Sequence, residues 1–496
     1  MRKIIVDFMH NSKLIKILQV FSNDEIKDFR RFIDSPYFNK EGSYIVRFFD
    51  ELKRYHPDFI GEGVSKEKLY KRLYKDKEYN DTIMRKAGSS LIKLAEDYLK
   101  YSAFRESGTE GNLLYIKKLR EKRIEKLFEI KARELDAGLM DAGNAVDSEY
   151  FRNRYKLELE RINYFLDHSS MLNLQQESMQ NVQRYIVYDS LVNLLDIGFN
   201  ILVGITTMYK GEKNLVLQVL DRIDLDSVGE MLRENDKELY PVYDLFHKRY
   251  LGFRNFEDDN NYFEYKKIAF QNMKFLTWEN QFTIFISLQN ICTRKFVEGK
   301  RYFTGELHDV HKEMLQRGLY VQKQGDYMNL QTYRNIVLTA SNLHNNDWIT
   351  GFMNEYLHRI LPEQQESLRA WTKAIVMYNK NEFSGALKEL QSVKNDHYLT
   401  KHEIKAMTMK MFYELNEFES GISFAESYRK MVQNDKTYAE IHRNSYTNFS
   451  ILYLKLIKMK ADKNYGDAEF LKLEIEKTVT NSKEWLLAKA DEMMNK

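Results

Sequence analysis

The chain has a single cysteine, Cys292, and only 4 prolines and 21 glycines in 496 residues. At average usage a chain of this length carries about 25 prolines and about 35 glycines. One cysteine excludes a disulfide framework and any Cys-based zinc or iron–sulfur centre. The scarcity of Gly and Pro argues against an all-β fold, whose closely spaced turns consume both, and against a disordered or collagen-like chain. Charge of one sign is missing too. The 76 Lys and Arg stand against 73 Asp and Glu, a net of +3, so no global polyelectrolyte partner is implied. Long hydrophobic runs are also scarce. Residues 1–21 offer Arg2 and Lys3 before Ile4, Ile5 and Val6, but Asp7, His10, Asn11 and Lys13 break the run before a signal-peptide core forms. The best apolar stretch, residues 197–205, contains Asn200 and follows Asp196, well short of the roughly 18 apolar residues that span a bilayer. These absences predict a cytoplasmic protein with no membrane partner.

What is present is helical periodicity almost everywhere. Ser22 precedes Asn23, Asp24 and Glu25, an N-cap with acids in the first turn. The helix it opens carries Ile26, Phe29, Phe32 and Ile33 on one face and stops at Ser35-Pro36, since the residue before proline is pushed out of helical geometry. Helices are expected over 44–55, 66–74 (Ser65 as cap) and 81–104, the last with a Leu91, Leu94, Ala95, Tyr98, Leu99 stripe. Residues 106–112 (Glu-Ser-Gly-Thr-Glu-Gly-Asn) read as a linker. Before it, residues 1–105 carry a net charge of +6 from 22 basic and 16 acidic side chains. A charged helix over 113–135 and a polar break at 136–144 follow, then a helix from Ser148 to about Asp167 and helical patterns to the end. The division expected is a basic helical N-terminal domain (1–105), a helical hairpin array (113–330) and a repeat region (331–496).

The repeat can be counted. Asn346-Asp-Trp-Ile-Thr-Gly351, Asn381-Glu-Phe-Ser-Gly-Ala386 and Asn416-Glu-Phe-Glu-Ser-Gly421 share Asn, acid, aromatic, two residues and a small residue, at intervals of 35. Lys463-Asn-Tyr-Gly-Asp-Ala468 is a weaker fourth copy. Phe352, Leu387 and Ile422 come next in register. Each copy fits the turn of a helix hairpin, because Asn tolerates left-handed backbone and a small residue lets two helices approach. Neither helix buries its apolar face alone, so the hairpins must stack.

Residues 331–433 resemble the tetratricopeptide repeat, a helix pair with a 34-residue period. Ala374, Ala386, Leu390 and Val393 fit that pattern, while Glu355, His358 and Met409 depart from it. The resemblance implies an all-α fold, stacked helix hairpins forming an α-solenoid behind the small N-terminal domain. It also implies a concave face lined by the first helix of each pair, with Tyr333, Trp371, Tyr378, Lys410 and Tyr413 as contacts for a peptide or protein partner. Trp371 and Tyr378 could equally be buried between repeats. Separately, residues 21–39 are similar to the opening of an uncharacterised group of bacterial helical proteins, which supports a bacterial origin and transfers no function.

Motifs for chemistry are missing. Neither phosphate-cradling glycine pattern occurs, and His402-Glu403 lacks the second histidine of a zinc helix. His308 and His311 share a helical face but read as surface histidines beside Asp309. The run of residues 258–261 (Asp-Asp-Asn-Asn) reads as a polar helix N-terminus rather than a calcium loop, and Cys292 as a core residue. The 33 Tyr and 30 Phe are expected to fill space between hairpins rather than to stack on nucleobases. No catalytic residue, metal, cofactor or small-molecule substrate is inferred. The function expected is a non-catalytic binding scaffold. The alternative is a nucleic-acid-binding regulator that uses Arg85 and Lys86 of the basic N-terminal domain, with the repeats as sensor. A winged-helix version of it needs a β-hairpin near residues 104–112.

Overall fold

The computed structural model describes residues 12–75, 77–141, 148–166, 172–207, 214–273, 276–393, 398–435 and 440–495. Among these are 24 α-helices and no strand, as the Gly- and Pro-poor composition predicts. The chain divides into two compact units, Met1–Leu139 with Asn153–Val182, and Met140–Arg152 with Gln183–Lys496.

The first unit opens with α1 (Lys13–Gln19), α2 (Asn23–Asp34), α3 (Ser43–Leu52), α4 (Lys66–Leu73) and α5 (Asp81–Glu106). Ser22 and Glu25 form a reciprocal capping box, and Ser65 accepts from the Lys68 N–H, so both caps lie where the sequence puts them. The five helices share one apolar core in which Phe29 is fully buried, with its ring centroid 5.0 Å from Phe49 and 5.4 Å from Tyr98. Leu99, expected in the stripe, faces solvent. The expected linker at 106–112 is a tight turn: Ser107 ends α5, Gly108 takes φ +49°, and α6 (Thr109–Glu121) begins at once. The expected single charged helix is two. Arg123 at φ +56° separates α6 from α7 (Glu125–Asp141), which runs through the first part of the expected break at 136–144. The rest of that break lies outside the described residues. In α8 (Ser148–Leu166), Arg161 pairs with Asp136 of α7 at 2.9 Å and with Glu158 at 2.8 Å.

The next helix, α9 (Leu172–Thr207), corrects the reading of hydrophobic runs. Its segment Leu174–Ile205, mean hydropathy 1.5, is long and apolar enough to cross a membrane by length and composition. A count of consecutive apolar residues misses this, because Asp189, Asp196 and Asn200 interrupt the run. Here Val192, Leu195 and Phe199 are buried, and Asp196 accepts at 2.6 Å from Arg249, itself almost wholly buried and lying 4.3 Å above the Phe199 ring.

The second unit continues with α10 (Leu215–Leu220), α11 (Leu225–Asn235), α12 (Tyr240–Arg254), α13 (Asp259–Asn272), α14 (Trp278–Val297), α15 (Phe303–Gln316), α16 (Leu330–Asn342), α17 (Asn346–Tyr356), α18 (Pro362–Asn379), α19 (Phe383–Gln391), α20 (Tyr398–Glu414), α21 (Phe418–Asn434), α22 (Glu440–Asp462), α23 (Ala468–Lys477) and α24 (Lys483–Met494). Helices adjacent in sequence pack in pairs, α12 on α13, α14 on α15, α18 on α19, α21 on α22 and α23 on α24. Alternate helices also touch, α12 with α14, α16 with α18 and α22 with α24. That pattern is consistent with a helical-repeat arrangement.

The turns share one backbone device. At Gly299, Gly318, His344, Asn381, Asn416 and Lys463 the chain turns left-handed. The following N–H then reaches back five residues: Lys300 to Lys295, Leu319 to Met314, Asn345 to Ala340, Glu382 to Met377, Glu417 to Phe412 and Asn464 to Met459. This closure satisfies carbonyls that a helix end leaves open. Asn381 and Asn416 therefore do what their side chains suggest. Asn346 does not. In that copy His344 occupies the left-handed position and Asn346 is the first residue of α17, so the true interval to Asn381 is two residues longer than the sequence pattern gives. Gly351 is accordingly exposed with open space around it, and Ile349 fills the buried position that Ala386 and Gly421 hold in the later pairs.

Candidate binding cleft

The second unit contains a cleft of about 710 Å³, within the range of ligand sites. One wall is α18, with Trp371, Ile375 and Tyr378; another is α20, with Glu403, Ala406, Met407 and Lys410. The ends of α14 and α16 and the start of α15 contribute Phe296, Leu338, Ser341 and Arg301, and the first turn of α24 contributes residues 481–485. Arg301 and Glu484 meet at 2.9 Å as an exposed ion pair on this lining.

The five residues expected on a concave face separate into two groups. Trp371, Tyr378 and Lys410 line the cleft. Trp371 is 1% exposed and serves as a wall through the edge it presents, while Tyr378 and Lys410 are half-buried. Tyr333 and Tyr413 do not line it. Tyr333 is fully buried, its hydroxyl 3.3 Å from Thr372 Oγ1 and its ring 5.0 Å from Phe352. Tyr413 packs beneath Lys460, whose Nζ lies 4.0 Å from the ring centroid and donates to the Tyr413 carbonyl. Both tyrosines fill inter-helix space.

Electrostatics single out Lys410. The two carboxylates on the same lining are already engaged, Glu403 by Arg334 and Glu484 by Arg301. Among the described residues Lys410 has no hydrogen-bond acceptor or ion-pair partner; its ammonium sits 5.7 Å from the Trp485 ring centroid. Burial, with no compensating anion, pulls its pKa down to about 8. Burial likewise raises the Tyr378 phenol, further helped by Glu414 and opposed by nearby Trp485. Trp485 Nε1 is close enough to that phenol to be felt yet makes no hydrogen bond of normal geometry, and it is buried. Ser482 precedes α24 in left-handed geometry, and no side chain caps that helix.

Trp485 and the turn before α24 were not legible as site residues, because they lie beyond the last copy of the repeat pattern. The one available signal was that Trp485 is one of only 4 tryptophans.

The remaining candidates resolve locally. His308 and His311 are buried, not surface residues. His308 stands edge-on to Trp348 at 4.5 Å, and desolvation lowers both imidazoles, His311 to about 3. Asp258 caps α13 through the Asn260 N–H. For Asp259 burial alone would raise the pKa, but hydrogen bonds from Lys295, Lys300 and Tyr302 hold it at about 2. Cys292 is fully buried among Phe285, Leu288 and Ile291, and burial pushes its thiol up to about 12. Among the described residues no group of three or more His, Cys, Asp or Glu gathers as metal ligands. In the first unit Arg85 and Lys86 are exposed on α5, and Arg85 is paired with Asp81 at 2.6 Å. No strand follows α5, which runs into α6 across the turn at Gly108.

No family model, curated protein or solved structure matches this chain.

Proposed function

We propose that this protein is a non-catalytic binding scaffold whose second unit is a tetratricopeptide-like array of helix pairs, receiving a peptide or protein segment in the cleft between α18, α20 and α24. The observation that carries the reading is the convergence of Trp371, Tyr378 and Lys410 on one cleft. Trp371 and Tyr378 come from α18, which packs on α19, and Lys410 from α20, which packs on α21, so alternate helices supply the groove. The aromatic walls supply apolar contact area at low entropic cost, and the rim carries paired charges.

The test is affinity capture from lysate of the source organism with the full chain and with Tyr378→Ala, each split into nuclease-treated and untreated halves. A stoichiometric protein that survives nuclease and is lost with Tyr378→Ala is the expected result. A partner indifferent to Tyr378→Ala moves the interaction elsewhere on the chain. Partners that vanish with nuclease, and that wild-type protein binds with a steep salt dependence, favour the regulator reading through Arg85 and Lys86.

A further inference from the structure

Among the described residues, the cation Lys410 in the cleft has no hydrogen-bond acceptor or ion-pair partner. Lys410, in the C-terminal half of α20, shares its lining with the aromatic side chains of Phe296, Trp371, Tyr378 and Trp485. Lys410 is half-buried, and an ammonium drawn partly out of water without an acceptor gives up solvation that a paired one would recover. The two carboxylates on the lining are each taken by another cation, Glu403 by Arg334 and Glu484 by Arg301. Two further donors share the lining: the buried Trp485 indole N–H, which lies near the Tyr378 phenol but among the described residues makes no hydrogen bond of normal geometry, and the first turn of α24, which no side chain caps. Among the described residues the lining also holds two buried acceptors without a partner, Glu403 Oε2 and Asn481 Oδ1, so the missing group brings negative charge to Lys410 and N–H or O–H donors to those oxygens. Its charge is bounded as well. Glu403 and Glu484 remain on the lining even when paired, and they would repel a dianion more than a monoanion.

We propose that this cleft is a carboxylate-binding site in which Lys410 holds a monoanion whose apolar or aromatic body lies against Trp371, Tyr378 and Trp485. It rests on the reading of the cleft as the binding face and adds the chemistry of what enters. The carboxylate comes either from the end of a peptide or from a free aromatic acid.

Full-length protein is titrated, with Trp371 and Trp485 fluorescence as the readout, against four probes. They are a blocked tripeptide ending in phenylalanine with a free C-terminal carboxylate, the same peptide as its amide, phenylpropionate, and inorganic phosphate. The free acid binds, and the amide binds about 10- to 100-fold more weakly, the loss expected for one charge-assisted contact. Lys410→Met loses a similar factor, and Lys410→Arg recovers part of it. The tripeptide binding more tightly than phenylpropionate assigns the site to a peptide terminus, and the reverse assigns it to a free acid. Acid and amide binding alike, or Lys410→Met binding like wild type, overturns the carboxylate assignment while leaving the scaffold reading intact. Phosphate binding better than phenylpropionate overturns the monoanion. No binding by any probe at about 1 mM, the weak end of specific recognition, overturns the site, and nuclease-resistant capture lost with Tyr378→Ala then still stands as the separate test of the scaffold.

Should the Lys410 variants not fold, the wild-type pH profile decides. The charged and titratable groups facing Lys410 across this lining are Tyr378 from α18, Glu403 on α20, Arg301 before α15, His344 after α16, and Lys483 and Glu484 on α24. Affinity for the free acid falls above about pH 8, where the ammonium loses its proton, and a flat profile well above that pH overturns the role of Lys410.

Discussion

In α1–α5 the buried polar residues among those described are Asn39 and Ser65, whereas between α12 and α20 His247, Arg249, Lys295, His308, His311 and His402 are all buried. Both regions bury aromatic and aliphatic side chains from consecutive helices. They differ in what else they keep dry. Asn39 is satisfied by the Ile33 and Gly42 carbonyls and the Glu41 N–H, so the N-terminal core is apolar with its single amide fully used. In the second region some buried charges are equally well served: Lys295 donates to the Phe256 and Asp258 carbonyls and to Asp259. Others are not. Among the described residues neither ring nitrogen of His308 has a hydrogen-bond partner, nor does Nδ1 of His311. A chain departs from local rules of burial mainly where function or strain demands it; here the region that contains the cleft holds several such departures, as does α8 with its buried Arg154 and Glu158.

The sharpest way to break this contrast is at the N-terminal core. Phe29 is fully buried and meets Phe21, Phe49 and Tyr98 edge-on or tilted. Phe29→Ala removes those contacts and leaves a cavity, at a cost of about 3–5 kcal/mol. All 4 tryptophans, at 278, 348, 371 and 485, lie in the second unit, so tryptophan fluorescence follows that unit while far-UV circular dichroism follows every helix. The expected result in urea is an early dichroism transition with the fluorescence midpoint unmoved. A fluorescence midpoint that drops equally would show that the two units unfold together and would dissolve the comparison.

Acid sharpens it. Burial depresses His311 to about 3 and His402 to about 4 from an ordinary 6.5, so below pH 6.5 the unfolded chain binds protons that the folded chain refuses. Stability therefore rises with pH across this window and is lost as pH falls from 6.5 toward 4, by about 2 kcal/mol per histidine at pH 5. His247 and His308 are depressed in the same direction by desolvation. In α1–α5 the resolved acid-side shift of a partly buried group is that of Asp50: burial opposes it, but Arg30 and Lys53 hold it below 3.8. That contribution is present above 3.8 and is lost only as pH falls below it. Between pH 7 and 5 the fluorescence midpoint should fall, and His311→Gln with His402→Gln should flatten the slope. A midpoint independent of pH in that range would remove the buried-neutral assignment of these histidines.

How much of this was readable beforehand follows from which signals are local. The caps at Ser22 and Ser65, the stop before Pro36 and the apolar stripes of α2 and α5 depend on neighbours within one turn, and they stand where the sequence puts them. The turns at Arg123, His344 and Lys463 are different. Each is left-handed; Arg123 and Lys463 have no intrinsic taste for that geometry and are held there by the helices they join, so no turn residue announced the break between α6 and α7. The cleft was half legible. Trp371, Tyr378 and Lys410 follow from repeat register, but residues 481–485 reach the same cleft only through packing of α24 on α22 and α23. No periodicity in the sequence encodes that approach. His308 and His311 were misplaced for a related reason: Asp309 and Lys312 beside them suggested a solvated face, while the packing of Trp348 against His308 buries it.

The smallest effect carries the comparison inside the second unit, to the two glycines that the counted pattern treats as equivalent. A Cβ on Gly421 would come within 2.4 Å of Ile457 Cδ1 and 2.7 Å of the Tyr453 hydroxyl, which itself donates to the Met409 carbonyl. Neither neighbour can withdraw freely, because both belong to the core shared by α20–α24. Gly421→Ala is therefore expected to cost about 1–3 kcal/mol as overpacking. Gly351 sits mid-helix in α17 with nothing within 4 Å of the same added atom, so Gly351→Ala should stabilise by about 1 kcal/mol through helix propensity. Opposite signs in the tryptophan-monitored urea midpoints would place the first turn at His344. Equal destabilisation by both variants would return the register to the 35-residue spacing, with Gly351 rather than Ile349 at the close approach.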